Sequence, residues 1–280
     1  MSKPGSQALA PQSAPEAAAW WLRLSARGDL LISFAIAVGI VALAEALARA
    51  EAVSPLVLPA PSAVWAALLD GLSKGGWWLH IGSTILSMLS GFLIAICVAM
   101  VVAGVLASIG VLERIFTPFI VAFQSMPKIA IAPLVVIWLG FGDASKIAIV
   151  AISCFFPILV NTLQGLKVRD RDTYELMRSL GATRWQMFWR LRLPNSMPYF
   201  FVGLKVGMIF SLIGAVVAEF VGTASGVGFV MMQAKAQFDV PGMFACLIIL
   251  MILGVVMHFL MARAESFASH WSADVSRASA

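Results

Sequence analysis

Long apolar segments alternate with short polar ones along most of the chain. Six of them approach the roughly 20 residues that a helix needs to cross the hydrocarbon core of a bilayer, at about 30–48, 83–108, 116–139, 146–163, 198–221 and 243–262. Pro127 and Pro133 are expected to break the third segment, and Pro157 lies inside the fourth. The pattern predicts an all-α membrane protein with six transmembrane helices.

Composition supports a chain that folds in a bilayer. Its 280 residues are 61% hydrophobic and 12% charged, with a mean hydropathy of +0.94, whereas soluble domains carry roughly 25% charged residues. The net charge of +5 comes from residues between and beside the apolar segments, which argues against nucleic-acid binding. The cysteines lie singly within apolar runs and no HExxH pair occurs, so we expect neither a metal site nor a bound cofactor.

Basic residues in the loops predict the orientation of the chain. Lysine and arginine collect before the first segment and after the second, fourth and sixth. The loop after the fourth segment is the most basic, with Lys167, Arg169, Arg171, Arg178, Arg184, Arg190 and Arg192. Both termini and these loops are therefore expected to face the cytoplasm. Prolines and small residues predict a disordered cytoplasmic tail over 1–28, a transmembrane domain over 29–265 and a cytoplasmic tail over 266–280.

A short amphipathic stretch lies between the first two apolar segments. Ser62 is a plausible N-cap, and Val64, Trp65 and Leu68 begin a helical spacing of apolar residues. Two placements fit this pattern: a helix lying on the outer membrane surface, or a loop helix packed against the rest of the protein.

The cytoplasmic segment 169–194 carries two helix-start signals in succession. Asp172 with Glu175 forms one possible capping box, and Thr183 with Gln186 forms a second. Gly181 stands where the first helix is expected to end in a left-handed residue. The segment therefore predicts two short helices around a glycine turn.

The second of these short helices is expected to stop at Pro194 and to expose aromatic and apolar residues: Trp185, Phe188, Trp189 and Leu191. Exposed apolar residues rimmed by arginine are typical of an interface with a partner. A helix resting on anionic lipid and a helix packed within the chain are the alternatives.

The same segment resembles the EAA loop of bacterial ABC importer permeases. Glu175, Gly181 six residues later, and the run Leu191 to Pro194 after nine more fit the pattern. Leu176 and Met177 replace the usual alanines, and Leu191 replaces isoleucine. LPAPSAVW, FQSMPKIAIAPLVVIWLGFGDASKI and AEFVGTASGVGFVM extend the resemblance, over about 58–263, to the nitrate/sulfonate/taurine group.

This resemblance implies the fold and the partners. The fold would be that of a type I ABC importer permease in the bacterial inner membrane, with a coupling helix between spans four and five. The partners would be two copies of an ATPase that binds ATP and magnesium, a second permease copy, and a periplasmic or lipid-anchored binding protein. The residues that would dock on the ATPase are Glu175, Gly181, Ala182, Trp185, Phe188, Leu191, Leu193 and Pro194.

No lysine in the chain is followed by serine or threonine, so the chain contains no Walker A loop. We therefore expect a pathway subunit that is not itself an enzyme, with ATP hydrolysed on a separate subunit. The resemblance implies a small anionic solute such as a sulfonate, taurine or nitrate. A pyrimidine vitamin precursor or riboflavin is the alternative within the same machinery.

Polar residues within apolar segments are candidates for the solute pathway, because they are costly in lipid. Gln124, Ser125 and Lys128 surround Pro127, where a broken helix could line a cavity. A lysine there would suit an anionic solute. The alternatives are a packed kink and a lysine whose ammonium reaches the membrane surface.

Two further polar residues stand near the ends of their segments. Asn161 either contributes to the pathway or hydrogen-bonds neighbouring helices or loop backbone, and Glu219 is either a boundary carboxylate or a gate contact. Gly203, Gly207 and Gly214 form a small-residue stripe that suits close helix packing, either with a second copy or within the chain.

Other classes of protein would need features that this sequence lacks. An ion-gradient transporter would want paired intramembrane carboxylates or an internal repeat. An intramembrane enzyme would need a nucleophile with a base, or a metal cluster. We see neither pattern in the chain.

Overall fold

The computed structural model describes residues 18–167 and 171–277, and within these ranges the regular structure is helical throughout. The helices that form the spans and their connections are α1 (Ala18–Arg49), α2 (Pro61–Ser73), α3 (Trp77–Ser108), α4 (Gly110–Ser125), α5 (Ala132–Leu139), α6 (Asp143–Lys167), α7 (Arg171–Ser179), α8 (Arg184–Met187), α9 (Leu193–Gly222), α10 (Val227–Ala236) and α11 (Val240–Arg277). A 3₁₀ turn (Lys128–Ile131) joins α4 to α5, and a π-helical turn (Phe188–Arg192) joins α8 to α9.

Five helical stretches in the described ranges are long and apolar enough to cross a bilayer: Ile32–Arg49, Trp77–Ser108, Asp143–Lys167, Trp185–Gly222 and Val240–Phe267. The bent pair formed by α4 and the helices after it, which meet at an angle of 86°, gives a sixth crossing when it is counted as one span. The six-span prediction is confirmed, with one span broken.

The break in the third span lies at Met126 and Pro127, where the backbone is extended. This is the break predicted from Pro127, because a proline disfavours helical backbone in the residue before it. The predicted break at Pro133 is wrong. Pro133 stands in the first turn of α5, where a missing N–H leaves no helical hydrogen bond unmade.

The first compact unit of the structure covers residues up to Ser62. Its helix α1 begins at Ala18, within the stretch 1–28 that the sequence predicts as a tail, and residues 1–17 lie outside the described part. Alanine, leucine and arginine at 18–27 favour helix. At the other end of α1, Glu45 accepts hydrogen bonds from Arg49 Nε at 2.7 Å and from Ser62 Oγ at 2.8 Å.

The second unit, from Ala63 onwards, is built around α6 and α9. Its main core joins Met88 and Phe92 of α3, Ile158 of α6 and Met208 of α9. The C-terminal tail predicted over 266–280 continues α11 as far as Arg277, and residues 278–280 lie outside the described part.

The glycine stripe of α9 packs against α6. A Cβ on Gly203 would lie 3.0 Å from Asn161 Cβ, and one on Gly207 would lie 2.8 Å from Ile158 Cγ1. A Cβ on Gly214 would meet Ser153 Oγ at 3.0 Å. The stripe therefore serves packing within the chain, and it gives no support to a contact with a second copy.

Helix α2 is a packed loop helix. Val64 and Leu68 are buried against Val227 of α10 and Cys246 of α11. Trp65 and Leu69, on the other face, are exposed.

Candidate docking loop and translocation pathway

The docking loop, residues 171–194, begins with α7 and a glycine turn. Helix α7 begins at Arg171, so Asp172 lies inside the first turn and the predicted N-cap at Asp172 is wrong. The predicted C-cap is confirmed. Gly181 has φ +76°, and the Ala182 N–H donates to Met177 O at 3.0 Å across the turn. This left-handed closure ends α7 because only glycine adopts such a conformation without strain.

The start of α8 is the capping box that the sequence predicts. The Thr183 N–H donates to Gln186 Oε1 at 2.8 Å, and the Gln186 N–H donates to Thr183 Oγ1 at 3.2 Å. These reciprocal bonds satisfy two backbone donors that a helix start otherwise leaves unpaired. The direction in which α8 leaves the turn is thus fixed by local chemistry.

The predicted stop at Pro194 is wrong, because α8 continues through the π-helical turn into α9. The Leu193 N–H donates to Phe188 O, five residues back. Pro194 lies in the first turn of α9, and its ring would otherwise clash with the carbonyl four residues before it. The wider π turn accommodates the proline without ending the helix.

The large apolar residues of α8 and the π turn differ in exposure: two tryptophans are exposed, and the other two residues pack towards the core. Trp185 is 69% exposed and Trp189 is 50% exposed, with ring centroids 5.5 Å apart in an edge-on arrangement. Phe188 is half-buried against the main core. Leu191, predicted to be exposed, is 8% exposed, because it faces the bundle as the chain enters α9.

The other predicted docking residues are spread along the loop. Glu175 and Pro194 are exposed, and Ala182 and Leu193 are half-buried. Arg192 ties the loop to the bundle by donating from Nη1 to Ala107 O near the end of α3, at 3.2 Å.

A cavity of about 280 Å³ lies beside the broken third span. It brings together Gln124 and Lys128 from the break, Ser153 from α6 and Phe210 from α9. Lys128 Nζ stands 4.6 Å from the centroid of the Phe210 ring, a distance at which an ammonium group is attracted to the ring face. Among the described residues, Lys128 is the one charged side chain that lines this cavity.

The remaining pathway candidates lie elsewhere. The Ser125 hydroxyl donates to Val121 O at 3.0 Å, and the Asn161 amide donates to Pro157 O at 2.8 Å. Asn161 thus bonds the backbone of its own helix. Glu219 is 2% exposed, so it is not a solvated boundary residue.

Glu219 belongs to a polar network at the end of the bundle opposite to the docking loop. One carboxylate oxygen accepts from Thr84 Oγ1 at 2.7 Å, and the other accepts from the Gly228 N–H at 2.7 Å. Thr84 Oγ1 accepts in turn from the Val227 N–H at 2.9 Å. These bonds hold the start of α10 against α3 and α9.

Lys146 forms the second half of this polar network, although it is a flanking residue in the sequence. It is fully buried, and its Nζ donates to Ser83 Oγ at 2.7 Å and to Ser225 Oγ at 3.0 Å. Asp143 Oδ1, on an exposed side chain, lies 2.9 Å away. The Gly226 N–H donates to His80 Nδ1 at 3.1 Å. The polar network is therefore defined by His80, Ser83, Thr84, Lys146 and Glu219 around the segment Thr223–Gly228.

The burial of Lys146 is not evident from the sequence, because Lys146 stands three residues after Asp143 at the start of an apolar run. Ser83 and Ser225, which satisfy its ammonium group, are 63 and 79 residues away in the chain. A helical projection of α6 offers a signal, since Lys146 shares a face with the buried Ile149, Val150 and Ser153.

Known proteins share much of this sequence. The formylaminopyrimidine transport permease of Halalkalibacterium halodurans is 34% identical over 217 residues, which cover 78% of this chain and 86% of the relative. The riboflavin transport system permease of Chloroflexus aurantiacus is 33% identical, with 78% and 81% covered. The taurine transport system permease of Escherichia coli is 29% identical, with 69% and 71% covered.

The fold also has a counterpart among solved structures. A chain of the inward-facing MetNI methionine ABC transporter aligns with a TM-score of 0.61 at 20% identity, covering 70% of this chain and 99% of that one. The spans and their order are those of a type I ABC importer permease, which is the class that this fold defines.

The model of a family described as binding-protein-dependent transport system inner membrane component matches residues 95–268. The chain belongs to this family of importer permeases. Membership implies a separate ATPase and a substrate-binding protein as partners. It also decides against the alternative of an ion-gradient transporter.

Proposed function

We propose that this chain lines the translocation pathway of an ATP-driven importer and that its docking loop binds the ATPase. Two permease copies and two ATPases would form the assembly, with ATP and magnesium held by the ATPases. The exposed pair Trp185 and Trp189 carries the docking part of the proposal. Large aromatic residues are the commonest interface anchors, and here they stand on α8 and on the π turn that continues it.

The rigidity of the loop favours docking over a lipid-resting helix. Gly181 and the Thr183–Gln186 box fix how α8 leaves α7, and Arg192 fixes how the π turn meets α3. A preformed surface loses little conformational freedom on binding. Seven basic residues around the loop support a cytoplasmic position by the positive-inside rule, on the side of the membrane where an ATPase would bind.

Co-purification with the partner ATPase tests the docking proposal. Replacing Trp185 and Trp189 together by alanine should weaken binding by about tenfold or more, as expected for central aromatic anchors. The matched control is Trp65→Ala, an exposed tryptophan on α2. Equal ATPase recovery from the double variant and the control would rule out docking through this pair.

For the solute, the cavity at Lys128 favours a small anion such as a sulfonate, taurine or nitrate. The ammonium group would attract an anionic group, and Gln124 and Ser153 would offer hydrogen bonds. A second candidate, a pyrimidine precursor, is favoured by the 34% identity to a formylaminopyrimidine permease. Phe210 could stack on such a ring.

Uptake by proteoliposomes containing the complete transporter separates the two solute classes. Taurine, an alkanesulfonate, nitrate, a formylaminopyrimidine and riboflavin would be offered in turn. For an anion, Lys128→Met should reduce uptake about tenfold or more while Lys128→Arg retains most of it. Uptake of a neutral pyrimidine with no effect of Lys128→Met would overturn the anion proposal in favour of the second candidate.

The proposed assembly places both termini in the cytoplasm and pairs two identical permeases. Cysteine labelling with a membrane-impermeant maleimide tests the orientation. A cysteine replacing Ser179 should be labelled only in inside-out vesicles, and one replacing Ser73 only in intact spheroplasts. Labelling of both from the same side would contradict the orientation.

A further inference from the structure

The polar network stands at the end of the bundle opposite to the docking loop, and it holds the turn Thr223–Gly226 with hydrogen bonds instead of apolar packing. The turn Thr223–Gly226 contributes only small side chains. It is fastened by Lys146 to Ser225, by Ser83 to Ser225 and by His80 to Gly226. Since α3 supplies His80 and Ser83 and α6 supplies Lys146, the turn bridges two helices to the end of α9.

A purely structural role explains such a network poorly. Buried charges lose hydration, and replacing all the members of a buried charged cluster together by apolar residues often leaves a protein equally or more stable. Lys146 is fully buried and Glu219 is 2% exposed, but both are satisfied mainly by hydroxyl and amide groups. Bonds of this kind are directional and can be exchanged for water without exposing apolar surface. They therefore suit a contact that opens and closes.

The two halves of the polar network differ in what they hold. Glu219 and Thr84 hold Val227 and Gly228, which are buried in the core shared by α2, α10 and α11. Lys146, Ser83 and His80 hold Ser225 and Gly226, at the edge of that core. Ser225 is half-buried and is held through its hydroxyl by Ser83 and Lys146, so its release leaves α10 in place. His80 also stacks on Phe229 of α10, with ring centroids 5.9 Å apart.

We propose that Lys146, Ser83 and His80 form a latch that closes the outer mouth of the pathway by holding Ser225 and Gly226. The latch releases when ATP drives the permease into its outward-open state. This inference rests on the proposed function, because it needs the ATPase to supply the movement. Lys146 acts here as a positioning residue for the turn, with no contact to solute required.

A pair of cysteines that replace Ser83 and Ser225 can show directly whether the latch is closed, because a disulfide forms only while the two positions are in contact. The two hydroxyl oxygens are 3.0 Å apart, so cysteines at these positions are within reach of a disulfide. Cys97, which is exposed, would be replaced by alanine, while the buried Cys154 and Cys246 can remain. Lys146 keeps Asp143 and the Ser225 carbonyl as partners in this variant.

The experiment measures the rate of disulfide formation in the full transporter, with and without ATP and orthovanadate, an analogue of the phosphoryl-transfer transition state. A released latch should slow cross-linking by about tenfold or more, because the closed state becomes a minor population. The matched control is the same variant without ATPase. Its rate of disulfide formation should be the same with and without the nucleotide. Rapid cross-linking without nucleotide also verifies that the variant is folded.

Recovery of the ATPase with the double-cysteine variant is read first. Failure of the ATPase to co-purify with the unmutated chain would overturn the proposed function and the latch with it. If the ATPase binds and hydrolyses ATP but the cross-linking rate stays unchanged, the latch alone is wrong. In that case the polar network is a fixed part of the fold. Slower cross-linking only in the nucleotide-bound complex supports the latch.

Discussion

The two ends of the helical bundle differ in which side chains they bury. Charged side chains are buried in the polar network at one end, whereas large aromatic side chains are exposed on the docking loop at the other. Lys146 and Glu219 are enclosed and hydrogen-bonded, while Trp185 and Trp189 project from α8 and the π turn. Each end thus reverses the usual distribution of polar and apolar residues.

This difference in burial indicates whether the interaction partners of each end lie within the chain or in another protein. The buried charges are satisfied by hydroxyl and backbone groups and by the Asp143 carboxylate of the same chain, so the polar network is complete within one permease. The exposed tryptophans lack comparable cover in the described residues, so the docking loop gains by binding another protein. Substitutions at the two ends should therefore differ in kind: one set changes folding, and the other changes assembly.

The largest effect is expected for Gly226→Ala, in the polar network. Gly226 has φ +120°, and an added Cβ would overlap the Glu219 carboxylate. Strain and overlap together should lower the free energy of unfolding by about 3 kcal/mol or more. Thermal unfolding of the purified protein in detergent measures this loss.

Gly82→Ala is the matched control for Gly226→Ala. Gly82 lies in α3 at the same end of the bundle, with no atom near enough to touch a new Cβ. Alanine should there stabilise the helix by up to about 1 kcal/mol. Equal unfolding temperatures for the two variants would mean that the polar network is not packed as described.

A smaller loss is expected when a buried lysine is replaced. Lys146→Met leaves Ser83 and Ser225 without their charged donor and should cost about 2 kcal/mol. Lys74→Met is the matched control. Lys74 also pairs with a nearby aspartate, since its Nζ lies 2.8 Å from Asp70 Oδ1, but both side chains are exposed. That change should cost less than about 0.5 kcal/mol. A smaller loss for Lys146 than for Lys74 would contradict the importance of burial.

The smallest stability effect is expected in the docking loop, for Gly181→Ala. Gly181 has φ +76° but no atom within reach of a new Cβ, so only backbone strain of about 1 kcal/mol arises. The tilt of α8 should change with it, and recovery of the ATPase should fall more than stability does. Unchanged ATPase recovery alongside reduced stability would remove the distinction between the two ends.

Local signals in the sequence predicted the docking loop in part. Gly181 and the Thr183–Gln186 box each depend on residues within one turn of a helix, so the sequence contains the whole cause. The spans were likewise predicted, because hydropathy is summed over about 20 neighbouring residues. Pro194 was misjudged because its effect depends on whether the helix before it widens into a π turn.

Burial at the polar network could not be predicted in the same way. A lysine at the start of a span is equally compatible with a membrane surface and with a buried site. Only the arrival of Ser83 and Ser225 from distant parts of the chain decides between them. Leu191 was misjudged for a similar reason, since α8 and α9 form one helical run and their shared face is set by the core.

The π turn has a mechanical consequence. Because α8 continues through it into α9, no flexible linker separates Trp185 from the outer end of the span. The 30 residues of α9 form a lever about 45 Å long. A tilt of about 5° at the loop would shift the far end of such a lever by about 4 Å. A displacement of that size is larger than the donor–acceptor distance of any hydrogen bond in the polar network. A small rotation of the docking loop would therefore be enough to break the hydrogen bonds at the opposite end of the bundle.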